Sequence, residues 1–240
     1  MRANTPHTRR IPIRAENLSG LYPRPPLDSP PRLRYHPRMT DLPRLQPGLT
    51  YHIYNRANGS ENIFREARNY NYFLQQYTRF IEPIVDTYAY CLLKNHFHWL
   101  VRLLPEPEAR SVLRLPAAKP YNPAQLVSNF FDAYAKAYNN LYQRHGSLFQ
   151  RPFRRILVTT DTYFINLIHY IHLNPQKHGF VTDFREWEYS SYHTLYSHKP
   201  TFLQREFVLE QFNGRTGFDE FHRAIHIEQP ILSWIGEDPD

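Results

Sequence analysis

Apolar positions along the chain follow two rhythms. Leu49-Thr-Tyr-His-Ile-Tyr-Asn-Arg56 is aromatic and β-branched and reads as a first strand, turned by Asn58-Gly59-Ser60. From Asn69 to about Ile81, the residues Tyr70, Phe73, Leu74, Tyr77 and Phe80–Ile81 recur at helical spacing, and Pro83 closes the run. Val85–Leu93 and His96–Leu104 are apolar runs joined by Lys94-Asn95, which reads as a β-hairpin. Pro105 to Pro120, with two Pro-Glu steps, reads as a loop. A second helix is predicted from Pro123 to about Arg144, with Leu126, Phe130, Tyr134, Ala137 and Leu141 on one side and Gly146 beyond it. Phe149 to Thr159 is a basic, aromatic approach to a strand over Arg154–Val158. Asp161 is read as the cap of a third helix reaching Asn174, stopped by Pro175 and Gly179. Glu186–Tyr192 reads as a loop, and Arg205–Phe212 and Phe218–Ile227 as short terminal helices. The order β-α-β-β-α-β-α predicts an α+β fold. It is a ferredoxin-like split βαβ sandwich, an antiparallel sheet with helices packed on one face.

Strand side chains alternate faces. In the second hairpin strand His96, His98, Leu100 and Arg102 therefore share one face, and Phe97, Trp99 and Val101 the other. Two imidazoles on a strand that otherwise looks like core are costly unless something uses them, and a divalent metal would. The chain has 13 His, so a His-x-His pair also arises by chance and does not establish a metal site alone. On the third helix Phe164, Leu167, Ile168 and Ile171 form the apolar stripe, while Tyr163, Tyr170 and Asn174 lie together on its edge. An edge position suits a residue lining a cleft. Taken alone, Tyr170 is one boundary tyrosine among 18, and Asn174 one helix end.

Composition narrows the classes. No apolar run approaches a membrane span, and no signal-peptide pattern appears, so a soluble cytoplasmic protein is expected. The single cysteine, Cys91, excludes an internal disulfide framework and a Cys-rich zinc site. The net charge is +7, but residues 1–38 hold eight Arg against Glu16 and Asp28. The rest of the chain is therefore nearly neutral, and any basic patch on it is local. Residues 1–47 contain ten of the 21 Pro and read as a disordered Pro/Arg-rich arm, with Met39 offering an alternative start. Residues 48–195 then form the main domain and 196–240 a helical extension.

Three blocks carry a family resemblance. Asn95-His-Phe-His-Trp-Leu-Val101 resembles the Asn-His-x-His-hydrophobic block of the single-tyrosine HUH transposases (IS200-like). His169-Tyr-Ile-His-Leu-Asn-Pro-Gln-Lys-His-Gly179 resembles the Tyr-Ile-x-x-Asn-Pro-x-x-x-Gly block of their REP-associated branch. Trp187-Glu-Tyr-Ser-Ser-Tyr192 resembles the Trp-x-x-Ser-Ser block that follows there. The blocks stand in order and span roughly residues 49–195. The resemblance implies that His96 and His98 are metal ligands, Tyr170 the nucleophile and Asn174 a third ligand. Lys94 departs from the branch, where many members have Pro, and His172 departs where some have Tyr.

Such a protein would cut DNA with a tyrosine. A phenol is a poor nucleophile near neutrality, and a cation on two neutral imidazoles and an amide oxygen keeps its charge to polarise a phosphate. Mg²⁺ or Mn²⁺ is the expected cofactor, giving a 5′-phosphotyrosine and a free 3′-OH. Single-stranded or hairpin DNA is the expected partner. Arg56, Arg102, Arg151, Arg154 and Arg155 are candidates for phosphate contacts, and Tyr54, Phe149 and Phe153 for base stacking. A homodimer and a monomer are both compatible with these features. Two other readings stand: a metal-dependent phosphodiesterase, and a non-catalytic nucleic-acid-binding module on the same scaffold. Leu100 breaks the His-x-His-x-His pattern of one hydrolase class.

Overall fold

A computed structural model describes residues 42–224. The expectations for residues 1–41, Met39 included, and for residues 225–240 lie outside the described residues. The elements are β1 (Thr50–Arg56), α1 (Ala67–Phe80), β2 (Val85–Leu92), β3 (His96–Leu103), α2 (Glu106–Leu113), α3 (Pro123–Leu141), β4 (Arg154–Leu157), α4 (Asp161–Lys177), α5 (Tyr192–Tyr196), α6 (Arg205–Gln211) and α7 (Arg215–Arg223). The four strands make one sheet in the order β2-β3-β1-β4, with every neighbouring pair antiparallel. This is the split βαβ arrangement, and the α+β expectation holds.

Helices α1 and α3 cover one face. Phe73 of α1 packs on Phe97, Trp99 and Phe130, joining both helices to the odd-numbered side chains of β3. Helix α4 lies on the opposite face, where Phe164 meets Tyr88 and Tyr170 meets His98. The expected packing on one face thus describes α1 and α3, while α4 returns from the edge strand β4 to close the other side. The physical reason is visible in β2 and β3, which are buried along nearly their whole length. Strands whose successive side chains are nearly all buried need cover on both faces. Cys91 lies buried in this sandwich, and its burial pushes the thiol up, as an inert core residue requires.

Residues 105–120 are not all loop: α2 occupies Glu106–Leu113. Prolines are tolerated in a first turn because its N–H groups have no helical partner, so Pro107 does not oppose the helix. The arm also ends earlier than residue 47. Leu45 is buried, the Tyr51 hydroxyl donates to Arg44 O and accepts from Gln46 N, both at 3.0 Å, and Arg155 Nε donates to Pro43 O. Nor does the segment after residue 196 stand apart. Gln204 N donates to Thr87 O at 2.9 Å, and Phe218 and His222 of α7 are buried.

The start and end of α4 matter most for the site. Thr160, rather than Asp161, is its cap: the Thr160 hydroxyl accepts from Tyr163 N at 3.1 Å. Pro175 does not stop the helix, which continues to Lys177. A proline there removes only the donor for the Ile171 carbonyl, and the helix ends a turn later anyway. Gly179, at φ +67°, supplies the left-handed residue that ends it. Thr160→Ala is expected to lower unfolding stability by about 1 kcal/mol, with Thr160→Ser recovering most of it, as read by urea denaturation.

Candidate active site

Strand register gathers one set of side chains on the face beneath α4. In β1, Tyr54 pairs with His98, Arg56 with His96, and His52 with Leu100. In β4, Arg154 pairs with Tyr54. Paired residues project to the same side, so His52, Tyr54, Arg56, His96, His98 and Arg154 share a face. The His96 and His98 rings stand 5.2 Å apart and nearly perpendicular, at 89°. His98 Nδ1 lies 2.9 Å from His52 Nε2, with Tyr54 stacked on both rings. His96 Nδ1 lies 2.7 Å from Asn95 Oδ1, an acceptor, so that ring carries its hydrogen on Nδ1.

Helix α4 runs antiparallel to β3 over this face. The Tyr170 ring meets His98 edge-on at 5.7 Å, and two turns later the His178 ring meets His96 edge-on at 4.8 Å. Asn174 lies between them, one turn from each, and is wholly buried. Its Nδ2 donates to the Tyr170 carbonyl at 2.8 Å. A carbonyl can only accept, so this bond settles which end of the amide is oxygen. Asn174 Oδ1 is also buried, and among the described residues no donor reaches it. An acceptor left so costs about 1–3 kcal/mol, a cost that a cation or water removes. On the same flank Lys177 Nζ sits 5.0 Å from the centre of the Tyr170 ring, placing a positive charge beside the phenol.

The donor set fits a divalent ion through two imidazoles and an amide oxygen. With Nδ1 of both rings engaged, Nε2 of His96 and His98 would be the atoms to meet such an ion. Among the described residues no group of three His, Cys, Asp or Glu is set to hold a metal, so a third protein ligand would have to be of another kind, such as the Asn174 amide.

The other sequence candidates divide sharply. Tyr54, Arg56 and Arg154 reach the imidazole face. Arg102 does not come free to meet a ligand: at the far end of β3 its Nε donates to Asp86 at 2.9 Å, and Gln204 holds the same carboxylate. Phe149 is a core residue packed on Phe131 and Tyr134. Arg155 pairs with Ile53 and so projects to the opposite face, over Phe153, where burial lowers its pKa. Arg151 is paired with Asp132 at 2.6 Å. Arg151, Arg155, Phe149 and Phe153 line a separate cavity of about 840 Å³ against α3. The reason is alternation: Arg154 and Arg155 are neighbours on a strand and cannot both face the imidazoles. His52, Asn95 and Lys177 are the site residues that the sequence reading passed over. His52 and Tyr54 were detectable as same-face residues of the first strand, but their partner strand was not.

His172 has a structural role. His222 Nδ1 lies 2.8 Å from the Phe218 carbonyl and must donate to it. His222 Nε2 then accepts from His172 Nδ1 at 2.9 Å, and His172 Nε2 accepts from the Ser191 hydroxyl at 2.8 Å. Ser191 in turn accepts from Tyr90 N at 2.9 Å, and Trp187 Nε1 donates to Leu92 O at 2.9 Å. The Trp-x-x-Ser-Ser block therefore covers the open edge of β2 and ties it to α4 and α7. Burial holds these imidazoles neutral: it lowers His169 to about 4, His222 to about 3, and His172 well below the ordinary value.

The sheet thus bears a pair of imidazoles, and α4 closes over it with the Tyr170 phenol ring against His98. The chain is similar to the REP-associated tyrosine transposases. Over 110 residues, 45% of its length, it is 33% identical to a protein of Haemophilus influenzae provisionally named as one. The match covers 59% of that relative, so the chain spans under two thirds of its length. A solved structure, described as a REP-associated tyrosine transposase bound to a REP hairpin, overlays 66% of this chain and 86% of its own. The TM-score is 0.49 and the identity 15%. No family model matches the chain. Among the described residues, no helix is long and apolar enough to cross a membrane.

Proposed function

We propose that this chain is a REP-associated tyrosine transposase that cuts and rejoins single-stranded or hairpin DNA through a 5′-phosphotyrosine. The observation that carries this reading is the edge-on contact of the Tyr170 ring with His98, ring centres 5.7 Å apart. Tyr170 Oη attacks phosphorus in line, and the bond from phosphorus to the 3′ oxygen breaks. The phenol proton is lost, and the 3′ oxygen leaves with a proton as a free hydroxyl. Because one phosphate ester replaces another, an incoming 3′-OH can reverse the step and join strands. Arg56 and Arg154 flank Tyr54 on the site face and meet the phosphate backbone, while Lys177 adds charge beside the phenol. Tyr54, already stacked on His52 and His98, holds the imidazoles in place.

His96 and His98, with Asn174 Oδ1, are the residues that would hold Mg²⁺ or Mn²⁺. Such an ion, when bound, offsets the phosphate charge and orients the phosphate toward the phenol.

The test is a hairpin DNA labelled at its 3′ end, incubated with the full chain and Mn²⁺. The expected product is a labelled protein adduct that survives SDS and does not form with EDTA. Binding without an adduct supports the non-catalytic module, and strand loss without one supports a hydrolase.

A further inference from the structure

We propose that His52 is a positioning residue: it accepts the Nδ1 hydrogen of His98 and so keeps the Nε2 lone pair of that ring directed at a divalent cation. The inference rests on the reading of His96 and His98 as ligands.

His52 lies in the middle of β1, wholly buried. Its register partner is Leu100, so it reaches His98 diagonally, a span open to aromatic and long side chains. The contact is close, 2.9 Å from His52 Nε2 to His98 Nδ1, with the ring planes 20° apart. One hydrogen lies between these nitrogens, and it can belong to either ring. If His52 donates it, neutral His98 carries its own hydrogen on Nε2 and turns an N–H toward the cleft. If His98 donates it, Nε2 bears the lone pair that a cation requires. Only the second arrangement permits coordination. Tyr54 stacks on both rings, at 4.9 Å from His52 and 5.6 Å from His98, and restrains them from turning. His96 is treated in the same way by a different residue, with Asn95 Oδ1 at 2.7 Å from its Nδ1. Both imidazoles of the pair thus have Nδ1 engaged by a neighbouring side chain.

The test measures Mn²⁺ binding to the full chain without DNA, by loss of the free-ion electron paramagnetic resonance signal. His52→Leu is expected to weaken Mn²⁺ binding about 10–100-fold, as loss of an outer hydrogen-bond partner does. His52→Gln recovers part of it, because its amide oxygen can accept, and His98→Ala loses binding altogether. Wild-type affinity in His52→Leu, with binding still lost in His98→Ala, overturns the role of His52 and leaves the ligand reading standing. A wild-type chain that takes up no Mn²⁺ overturns both. Nitrogen-15 shifts of His98 in the metal-free wild type, at about pH 8 where imidazoles are neutral, decide the matter even if the leucine variant does not fold. The expected state has hydrogen on Nδ1, and hydrogen on Nε2 would overturn the proposal.

Discussion

Tyr170→Phe is expected to abolish the covalent DNA adduct and to reduce strand cleavage at least about a thousandfold, with hairpin affinity retained. The substitution is clean because the ring stays. Tyr170 is only 6% exposed, and its edge-on contacts with His98 and His52 belong to the ring rather than to the oxygen. What is lost is the atom proposed to attack phosphorus. An unchanged melting temperature and unchanged binding, with no adduct, is the full signature. Tyr163, two turns earlier on α4, is the control. Burial pushes its phenol up and so disfavours the phenolate, and Tyr163→Phe is expected to keep cleaving. An adduct that persists in Tyr170→Phe and disappears in Tyr163→Phe would move the nucleophile and sink the assignment.

The second large effect is on stability in acid. His169, His172 and His222 all have folded pKa values lowered first of all by burial. Above the ordinary imidazole value, about 6.5, each is neutral in both states and leaves stability independent of pH. Below it, the unfolded chain takes up protons that the folded chain refuses. Stability therefore falls as pH drops, by about 1.4 kcal/mol per pH unit for each residue, until its folded value is passed. That limit is about 4 for His169 and about 3 for His222. Three such residues remove about 4 kcal/mol per pH unit, against a typical total stability of about 5–15 kcal/mol. Urea denaturation at neutral pH and in steps below pH ~6 should show this slope. A stability unchanged down to pH ~5 would mean that these imidazoles are protonated in place or reached by solvent.

Much of this was legible in the residues. The strands announced themselves by alternation and β-branching, and the α+β order followed from spacing. The approach of Tyr170 to His98 was implied by the family resemblance; alternation places His96 and His98 together and helical spacing puts Tyr170 and Asn174 on one flank, but neither says which face of the sheet the helix covers. Three things were hidden for physical reasons. Proline marks both breaks and first turns, so Pro105 and Pro107 masked α2, and Pro175 was mistaken for the end of α4. An arginine looks the same in sequence whatever it meets, so the pairing of Arg102 and Arg151 could not be read before Asp86 and Asp132 were placed beside them. The partnership of His52 with His98 depends on which strands are neighbours, and the two stand 46 positions apart with no mark of it between them.

One consequence follows from α4 folding back on its own sheet. Phenol and imidazoles come from a single polypeptide, so a severed strand would remain tethered to the copy that cut it. On the proposed reading, a second copy would bring its own set of these groups rather than the missing half of the first. Exchange of two DNA ends could then proceed with each end held by its own protein, the pairing of copies setting only which ends meet.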